Sequence, residues 1–387
     1  MAESEQVQSG RDQEEYVVED GEAKRLANHV KQAGVIDDWI ICKVIGAGAN
    51  GLVASVTNRK TNEKAVMKIA MNLSTSGSLY WESDVLERIM QPSNNEDRTR
   101  HLVRRVDCGH TVNMDKQDVG YIVMENLPGN PVGILGALSG NALISKVAEF
   151  GLQLLKVGYI VMENLPGNPV GILGALSGNA LISKVAEFGL QLLKALYDLH
   201  YLGFVHRDIK PENVGLYRDE ILVLYDLGMS RFYTNKEGRV REPRCHIGMR
   251  GTDEWASLNA ELGRDQGRVD DLWGWFYVLI EWVNCASKYP LCWAPFEDDP
   301  DMRHFCKSGL FPAKFVLRNC PSEFFKIQCY LRCLGRDDSP DYLYLARLLL
   351  QAKQRADGTA IPASSSSVEE DDEKWDERMA LLEMEYY

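Results

Sequence analysis

The stretch Phe204-Val205-His206-Arg207-Asp208-Ile209-Lys210-Pro211-Glu212-Asn213 limits this chain more than any other. An apolar lead-in, Leu199 to Val205, brings the chain out of a helix. The loop then sets a carboxylate, Asp208, five residues before an amide, Asn213. A carboxylate held this way can accept a hydroxyl proton, and the amide oxygen can reach a metal ion. A lone His-Arg-Asp arises by chance, and a solvated polar loop is its plainer reading. The longer match, ending in Asn213, requires partners elsewhere in the chain.

Those partners occur on both sides. Trp39 to Ile45 reads as a strand, followed by Gly46-Ala47-Gly48-Ala49-Asn50-Gly51 and a second strand, Leu52 to Val56. In a dinucleotide fold such glycines open a helix. Here strand-forming residues continue, and Val53 completes G-x-G-x-x-G-x-V, a hairpin lid whose backbone can lie close to phosphates. Lys64 to Met71 is a third strand with Lys68 at the end of Ala65-Val66-Met67-Lys68. A lysine among apolar residues either faces water at a sheet edge or is buried and paired, because burying it alone is costly. Ser78 to Met90 has helical spacing (Leu79, Val85, Leu86, Ile89), and the motif favours Glu82 over Glu87 as the partner. Leu102 to Val106 and Tyr121 to Met124 complete five strands. Beyond the loop, Ile221 to Tyr225 is a strand ending in Asp226-Leu227-Gly228, thirteen residues past Asn213. An Asp-x-Gly turn is common. At this spacing Asp226 is the expected ligand of Mg²⁺.

Composition excludes other classes. The chain has 387 residues, enough for two lobes, with 45% hydrophobic and 26% charged residues. A net charge of −13 argues against a nucleic-acid binder or a polybasic membrane binder. The most apolar run, Trp273 to Val283, is too short to span a bilayer and carries Glu281. Nine cysteines without a C-x-x-C pair read as reduced thiols in a cytoplasmic protein. No G-x-x-x-x-G-K-[ST] occurs, so a Walker-type nucleotide hydrolase is excluded.

Val119–Lys156 recurs without change as Val157–Lys194, 38 residues each. Repeat architectures stack three or more units whose copies drift, so this is a recent duplication or a faulty gene model. Each copy holds a strand end, a Pro/Gly-rich link and a helix (Leu143 to Lys156, or Leu181 onward). Direct chain connection predicts that Tyr121 to Glu125 joins the sheet in place of Tyr159 to Glu163. It likewise predicts that the helix of about Leu181 to Leu202 packs. The intervening segment becomes a surface excursion, which loop entropy tolerates.

Ser230 to Gly251 reads as a loop carrying Arg231, Lys236, Arg239, Arg241, Arg244 and Arg250 against Glu237 and Glu242, a local +4. It is either a solvated loop or an anion site. Asp270 and Asp271 open the apolar helix at Trp273, where capping is their plainer role. Further helices are expected at Phe311 to Arg318, Pro321 to Leu334 and Tyr342 to Gln354. Residues 1–35 read as an acidic disordered segment in which Glu22 to Gln32 has short helical character. Residues 357–387 form a Ser-rich and acidic tail (Ala360 to Ser367, then Glu369 to Glu373), ending in a possible amphipathic helix, Trp375 to Tyr387.

These motifs resemble a protein kinase. Gly251-Thr252-Asp253-Glu254-Trp255-Ala256-Ser257-Leu258-Asn259 resembles the casein kinase 1 superfamily. Arg268-Val269-Asp270-Asp271-Leu272-Trp273, Phe232-Tyr233-Thr234-Asn235 and Arg250-Gly251-Thr252 resemble its tau-tubulin kinase branch more closely, and Asp338-Ser339-Pro340-Asp341-Tyr342 resembles the family's D-x-P-D-Y element. The resemblance implies an α+β bilobal fold over residues 36–356. A five-stranded antiparallel N-lobe (about 36–125) sits above a mainly helical C-lobe (about 170–356), with the surplus segment within 119–194. It implies ATP and Mg²⁺ as cofactors, and transfer to Ser or Thr of acidic or pre-phosphorylated protein substrates by a monomer. Lys68, Glu82, Asp208, Lys210 and Asn213 take catalytic roles, and Asn213 and Asp226 hold metal. Ile45, Gly46, Gly48, Gly51, Val53, Ala65, Lys68 and the backbone of Glu125 and Leu127 (or Glu163 and Leu165) contact the nucleotide. Met124 or Met162 guards the back pocket. Thr252 orients Asp208, and Asp271 ties its helix to the loop backbone. Three departures stand out: Glu254-Trp255 replaces the family's Arg-Tyr, Gly215 replaces a larger residue on the pocket floor, and the duplication adjoins the hinge. With Leu227, these leave a catalytically silent scaffold as the alternative.

Overall fold

β-Branched and apolar residues alternate with short turns from Val35 to Ala70, and this segment folds as an antiparallel meander. The computed structural model describes residues 21–48, 51–91, 101–113, 115–125, 169–217, 221–245 and 247–359. The acidic residues 1–20, the candidate strand Tyr159 to Glu163, the helix Leu143 to Lys156, the hinge residues Leu127, Met162 and Leu165, and the tail from residue 360 lie outside the described residues.

The chain opens with α1 (Gly21–Ala33), followed by β1 (Val35–Ile36), β2 (Trp39–Gly48), β3 (Gly51–Asn58) and β4 (Lys64–Ala70). Ala23, Leu26, Ala27 and Val30 recur on one face of α1 and are buried against β2 and β3. The segment 21–35 is thus an ordered part of the small lobe, which moves its expected start from about 36 to 21. α2 (Leu73–Ile89) begins a turn and a half earlier than its apolar period suggests, because Asn72 caps it. The Asn72 side chain accepts from Thr75 N at 3.1 Å and Thr75 Oγ1 accepts from Asn72 N at 3.0 Å.

β5 (Arg105–Val112) and β6 (Asp118–Glu125) complete a six-stranded antiparallel sheet in the order β1-β2-β3-β4-β6-β5. The expected count of five omits the two-residue β1. The expected strand Leu102 to Val106 is also displaced: Leu102 instead makes an isolated bridge to Leu224, and pairing with β6 starts at Arg105. β6 comes from the first repeat copy and pairs with β4, Glu125 opposite Ala65.

The larger lobe is built on α4 (Gly178–Tyr201), from the second copy, preceded by the short α3 (Pro169–Gly174). α4 packs against α6 (Arg268–Val283) and α10 (Tyr342–Ala356). Trp275 of α6 is fully buried and donates Nε1–H to Gly189 O at 2.9 Å. Two small ribbons hold the cleft: β7 (Phe204–Val205) with β10 (Arg231–Phe232), and β8 (Val214–Tyr217) with β9 (Ile221–Leu224). The expected loop Ser230 to Gly251 therefore begins as a strand. α5 (Leu258–Glu261), α7 (Pro300–Ser308), α8 (Ala313–Val316) and α9 (Ser322–Cys333) fill out the lobe. The expected helix Phe311 to Arg318 is one turn only; Pro312 precedes its start.

Candidate active site between the two lobes

Lys68 sits in β4 between Val53 of β3 and Ile122 of β6. Both neighbours are buried, so the lysine stem crosses an apolar layer. Its ammonium lies 2.8 Å from Glu82 Oε1 of α2 and 3.2 Å from Asp226 Oδ1. Burial alone would lower the Lys68 pKa, but the Asp226 and Glu82 carboxylates override it and hold it well above its ordinary value. Burial would likewise raise Asp226; the Lys68 ammonium brings it below the usual carboxylate range. Glu87, the rival to Glu82, points elsewhere and pairs with Arg105 at 3.3 Å.

Asp226 has a left-handed backbone, φ +61°, which ends the run of β9 and starts the 3₁₀ turn Leu227–Met229. Leu227 is fully buried, in the apolar place expected of it. The Asp226 side chain stays 46% exposed toward the cleft while Lys68 is 8% exposed. Tyr225 N donates to Asn213 O at 3.0 Å, so the β8–β9 hairpin sets Asn213 beside the residue that precedes Asp226. Asp226 and Asn213 offer two oxygen donors. That suits Mg²⁺, which keeps much of its coordination shell for phosphate and water. Among the described residues no group of three His, Cys, Asp or Glu side chains could hold a metal.

Asp208 is held from three sides. Thr252 Oγ1 donates to its Oδ1 at 2.8 Å, Lys210 Nζ lies 2.9 Å from its Oδ2, and Asn213 Nδ2 donates to its backbone oxygen at 2.8 Å. Lys210 Nζ also donates to Thr252 Oγ1 at 2.8 Å. Gly251 delivers Thr252: at φ +101°, a Cβ there would lie 2.7 Å from Arg207 O, so only glycine fits. His206 accepts from Asp208 N on Nδ1 at 3.3 Å, which leaves Nε2 to donate to Tyr225 O at 3.1 Å.

The loop backbone is fixed from below by Asp271. Its Oδ2 accepts from His206 N at 2.6 Å and its Oδ1 from Arg207 N at 2.7 Å. Burial would raise its pKa, but the bond from His200 and the neighbouring His206 and Arg207 bring it below the ordinary value. Asp270 takes the capping role alone, accepting from Gly267 N at 2.7 Å. α6 accordingly starts at Arg268, five residues before the expected Trp273.

Above the loop, Ile45, Val53 and Val66 form a small separate apolar cluster with Ala65 beside it, a roof for a flat ring. Gly46 faces Val53 and Gly48 faces Gly51 across the β2–β3 hairpin. A Cβ on Gly51 would lie 2.1 Å from Ile69 O, so the chain passes there without room for a side chain. The Glu125 backbone closes β6, and Met124 is buried behind it. Gly215 lies in β8 opposite Val223.

Beside the loop, Asp265 gathers arginines. Arg244 Nη2 lies 2.8 Å from its Oδ1 and Arg336 Nη2 3.3 Å from its Oδ2. Burial and the nearby Arg244 and Arg231 push the Arg207 guanidinium down to about 10. Arg231 is lowered by its own burial and then by Arg244. Asp271 beside Arg207 and Asp337 on Arg336 add two carboxylates, yet five arginines (Arg207, Arg231, Arg241, Arg244 and Arg336) face these three. Glu254 shows the opposite imbalance: burial, Glu212 and Glu297 push its carboxyl up to about 7.

Sequence reasoning missed His200, which bridges Asp271 Oδ2 at 2.9 Å and Tyr342 OH at 2.6 Å. It also missed Asp265, and Lys307, which donates to Asp253 O, Ala256 O and Glu261 Oε1 beneath the 253–261 segment. None sits in a spaced motif; each is recognisable only by its neighbours. Three separate sequence motifs meet in space, since Arg268 lies 4.9 Å over the Tyr233 ring and donates to Asp338 O at 2.9 Å.

Comparison with known proteins agrees with this geometry. A probable serine/threonine-protein kinase of Dictyostelium discoideum is 28% identical over 316 residues, 80% of this chain and 52% of that protein. Casein kinase I homolog 3 of Schizosaccharomyces pombe is 29% identical over 177 residues, 42% of this chain and 39% of that protein. The chain thus spans about half or less of the length of these relatives. Matched to the protein kinase domain over residues 39–292, from the first strand of the large hairpin to beyond α6, this chain belongs to the protein kinase family.

Proposed function

We propose that the chain transfers the γ-phosphate of Mg²⁺-ATP to Ser or Thr of protein substrates, as a casein kinase 1-like enzyme resembling the tau-tubulin kinase branch. The observation that carries this reading is the convergence of the Lys68–Glu82–Asp226 ion network and the Asp208–Lys210–Thr252 cluster in one cleft. Mg²⁺ bound there would supply neutralisation of phosphate charge. The chain's own residues do the rest. Lys68 is oriented by Glu82 to meet phosphate oxygens, and Asp208 is oriented by Thr252 to accept the proton of the substrate hydroxyl. Lys210 lies within 2.9 Å of that carboxylate, placed to offset charge on the moving group. What speaks against the silent-scaffold alternative is that Lys68, Glu82, Asp208, Asn213 and Asp226 are all present in the chain.

Acidic or pre-phosphorylated substrates fit the surplus of guanidinium groups around Asp265. Glu254 limits that preference to the arginine side of the groove. A monomer acting in the cytoplasm completes the reading. The test is phosphate transfer to casein by the wild type and by Asp208→Ala. Transfer by the wild type alone supports the proposal, and equal background from both eliminates it.

A further inference from the structure

The large lobe carries an exposed apolar surface that the kinase reading does not use. Leu310 is 77% exposed, more than any other exposed large hydrophobic side chain among the described residues. It adjoins an aromatic row: the rings of Phe305 and Phe311 are 5.9 Å apart, and those of Phe311 and Phe315 5.6 Å. α9 extends the surface, with Phe325 (54% exposed) two turns from Arg332 on the same helix face. Arg332 donates to Ser308 O at 2.9 Å, which places the end of α9 against the end of α7.

Exposed aromatic side chains grouped in this way mark a docking site. Its rim is basic: Lys314 lies 5.0 Å over the Phe315 ring, Lys326 is exposed beside Phe325, and Arg332 closes the far end at Ser308 O. In a chain of net charge −13 this is an unusual place for cations.

One segment of the same chain has the complementary character. Residues 368–387 carry nine acidic and two basic side chains, with Trp375, Met379, Leu382 and Tyr386 at spacings of 4, 3 and 4, a single helical stripe. The chain also leaves the lobe in the right place. Arg355, near the end of α10, donates to Ser322 Oγ at 2.7 Å, so the exit lies at the start of α9, one turn from Phe325. Fifteen residues separate Thr359 from Trp375. Extended, they reach roughly 50 Å, whereas α9 is only about 18 Å long.

We infer that residues 375–386 dock in cis, as an amphipathic helix, on the Phe305–Phe311–Phe315 surface of α7, α8 and α9. A short helix is marginal in water and gains its stability from the face it buries. The salt-sensitive contacts are the acidic residues of the tail with Lys314, Lys326 and Arg332.

The test is hydrogen exchange on the full chain, compared with two double variants, Leu310→Asp/Phe315→Asp and Trp375→Asp/Leu382→Asp. Leu310 and Phe315 take no part in the cleft, so phosphate transfer by that variant serves only as a check of folding. In the wild type, amides 376–386 are expected to exchange at least about tenfold more slowly than in either variant. Amides 305–315 are expected to exchange faster in the tail variant, the reciprocal effect required by linkage. Tail amides exchanging at free-peptide rates in the wild type would overturn the inference. So would tail protection that falls on tenfold dilution, which would assign the surface to a second copy. An unchanged 305–315 in the tail variant would assign it to a different partner and overturn the inference equally.

Discussion

Lys68 Nζ lies 3.2 Å from Asp226 Oδ1 across 158 residues of chain, one of the contacts that join the two lobes. Glu82 completes the set from a third element, α2, and both it and Lys68 are buried. The three groups form one charge system, so removing a member has two separable effects, on chemistry and on stability.

Lys68→Met is expected to abolish measurable phosphate transfer and to destabilise the fold by about 2–4 kcal/mol, because Glu82 is left buried and unpaired. Adding Glu82→Gln should recover most of the stability and none of the activity. Urea unfolding of the two single variants and the double variant measures the coupling. Simple additivity would contradict the ion-pair account.

Thr252→Ala leaves the Asp208 carboxylate without its Oδ1 donor and removes one acceptor of Lys210, whose ammonium keeps Asp208 Oδ2 at 2.9 Å. We expect kcat to fall about 10- to 100-fold with KM for protein substrate little changed, and Thr252→Ser to restore it. A loss in KM alone would place Thr252 in substrate binding instead.

Glu254 links pH to stability. Its folded pKa, about 7, lies above the ordinary 4.5, so the folded state holds its proton more tightly than the unfolded chain. Stability from this group is present below pH 4.5 and is lost as pH rises through 7. Glu254→Gln should therefore raise the melting temperature at pH 8, by a gain on the order of 1–3 kcal/mol that disappears at pH 4.5. Thermal melts at both pH values decide it.

Glu254→Arg should extend the basic surface toward the segment 253–261. The expected result is about a fivefold or greater rise in kcat/KM for acidic peptides, with neutral peptides unaffected. Peptide series differing only in charge provide the comparison.

Deleting residues 126–163 leaves one copy of the repeat and the same sequence as deleting 119–156. β6 and α4 each remain whole, so the shortened chain is expected to fold and to keep its catalytic rate. Its melting temperature should match or exceed that of the full chain, since a shorter connection costs less closure entropy.

The spaced motifs made the residues that gather in the cleft readable in advance. Glycines, a strand lysine, and an Asp and Asn five apart are local patterns that chemistry requires, and each lies where its pattern predicted. Element boundaries were less readable. Asn72 and Gly267 start their helices through cap bonds, and the apolar period does not show those. β1 and the shifted β5 depend on sheet partners rather than on their own residues. α1 showed only weak helical character in the sequence. Its ordering comes from an apolar face buried by β2 and β3.

By itself the sequence determined the lobe order, the residues that meet in the cleft, and which repeat copy supplies β6 and which α4, because covalent connection and residue chemistry are local properties. Only the tertiary structure decided that Glu82 rather than Glu87 meets Lys68, that His200 and Asp271 brace the loop, and that arginines crowd Asp265. Those outcomes depend on which side chains arrive within about 4 Å of one another, where a charge pair outweighs the cost of burying it. Packing of distant segments sets such distances, and no stretch of residues encodes them alone.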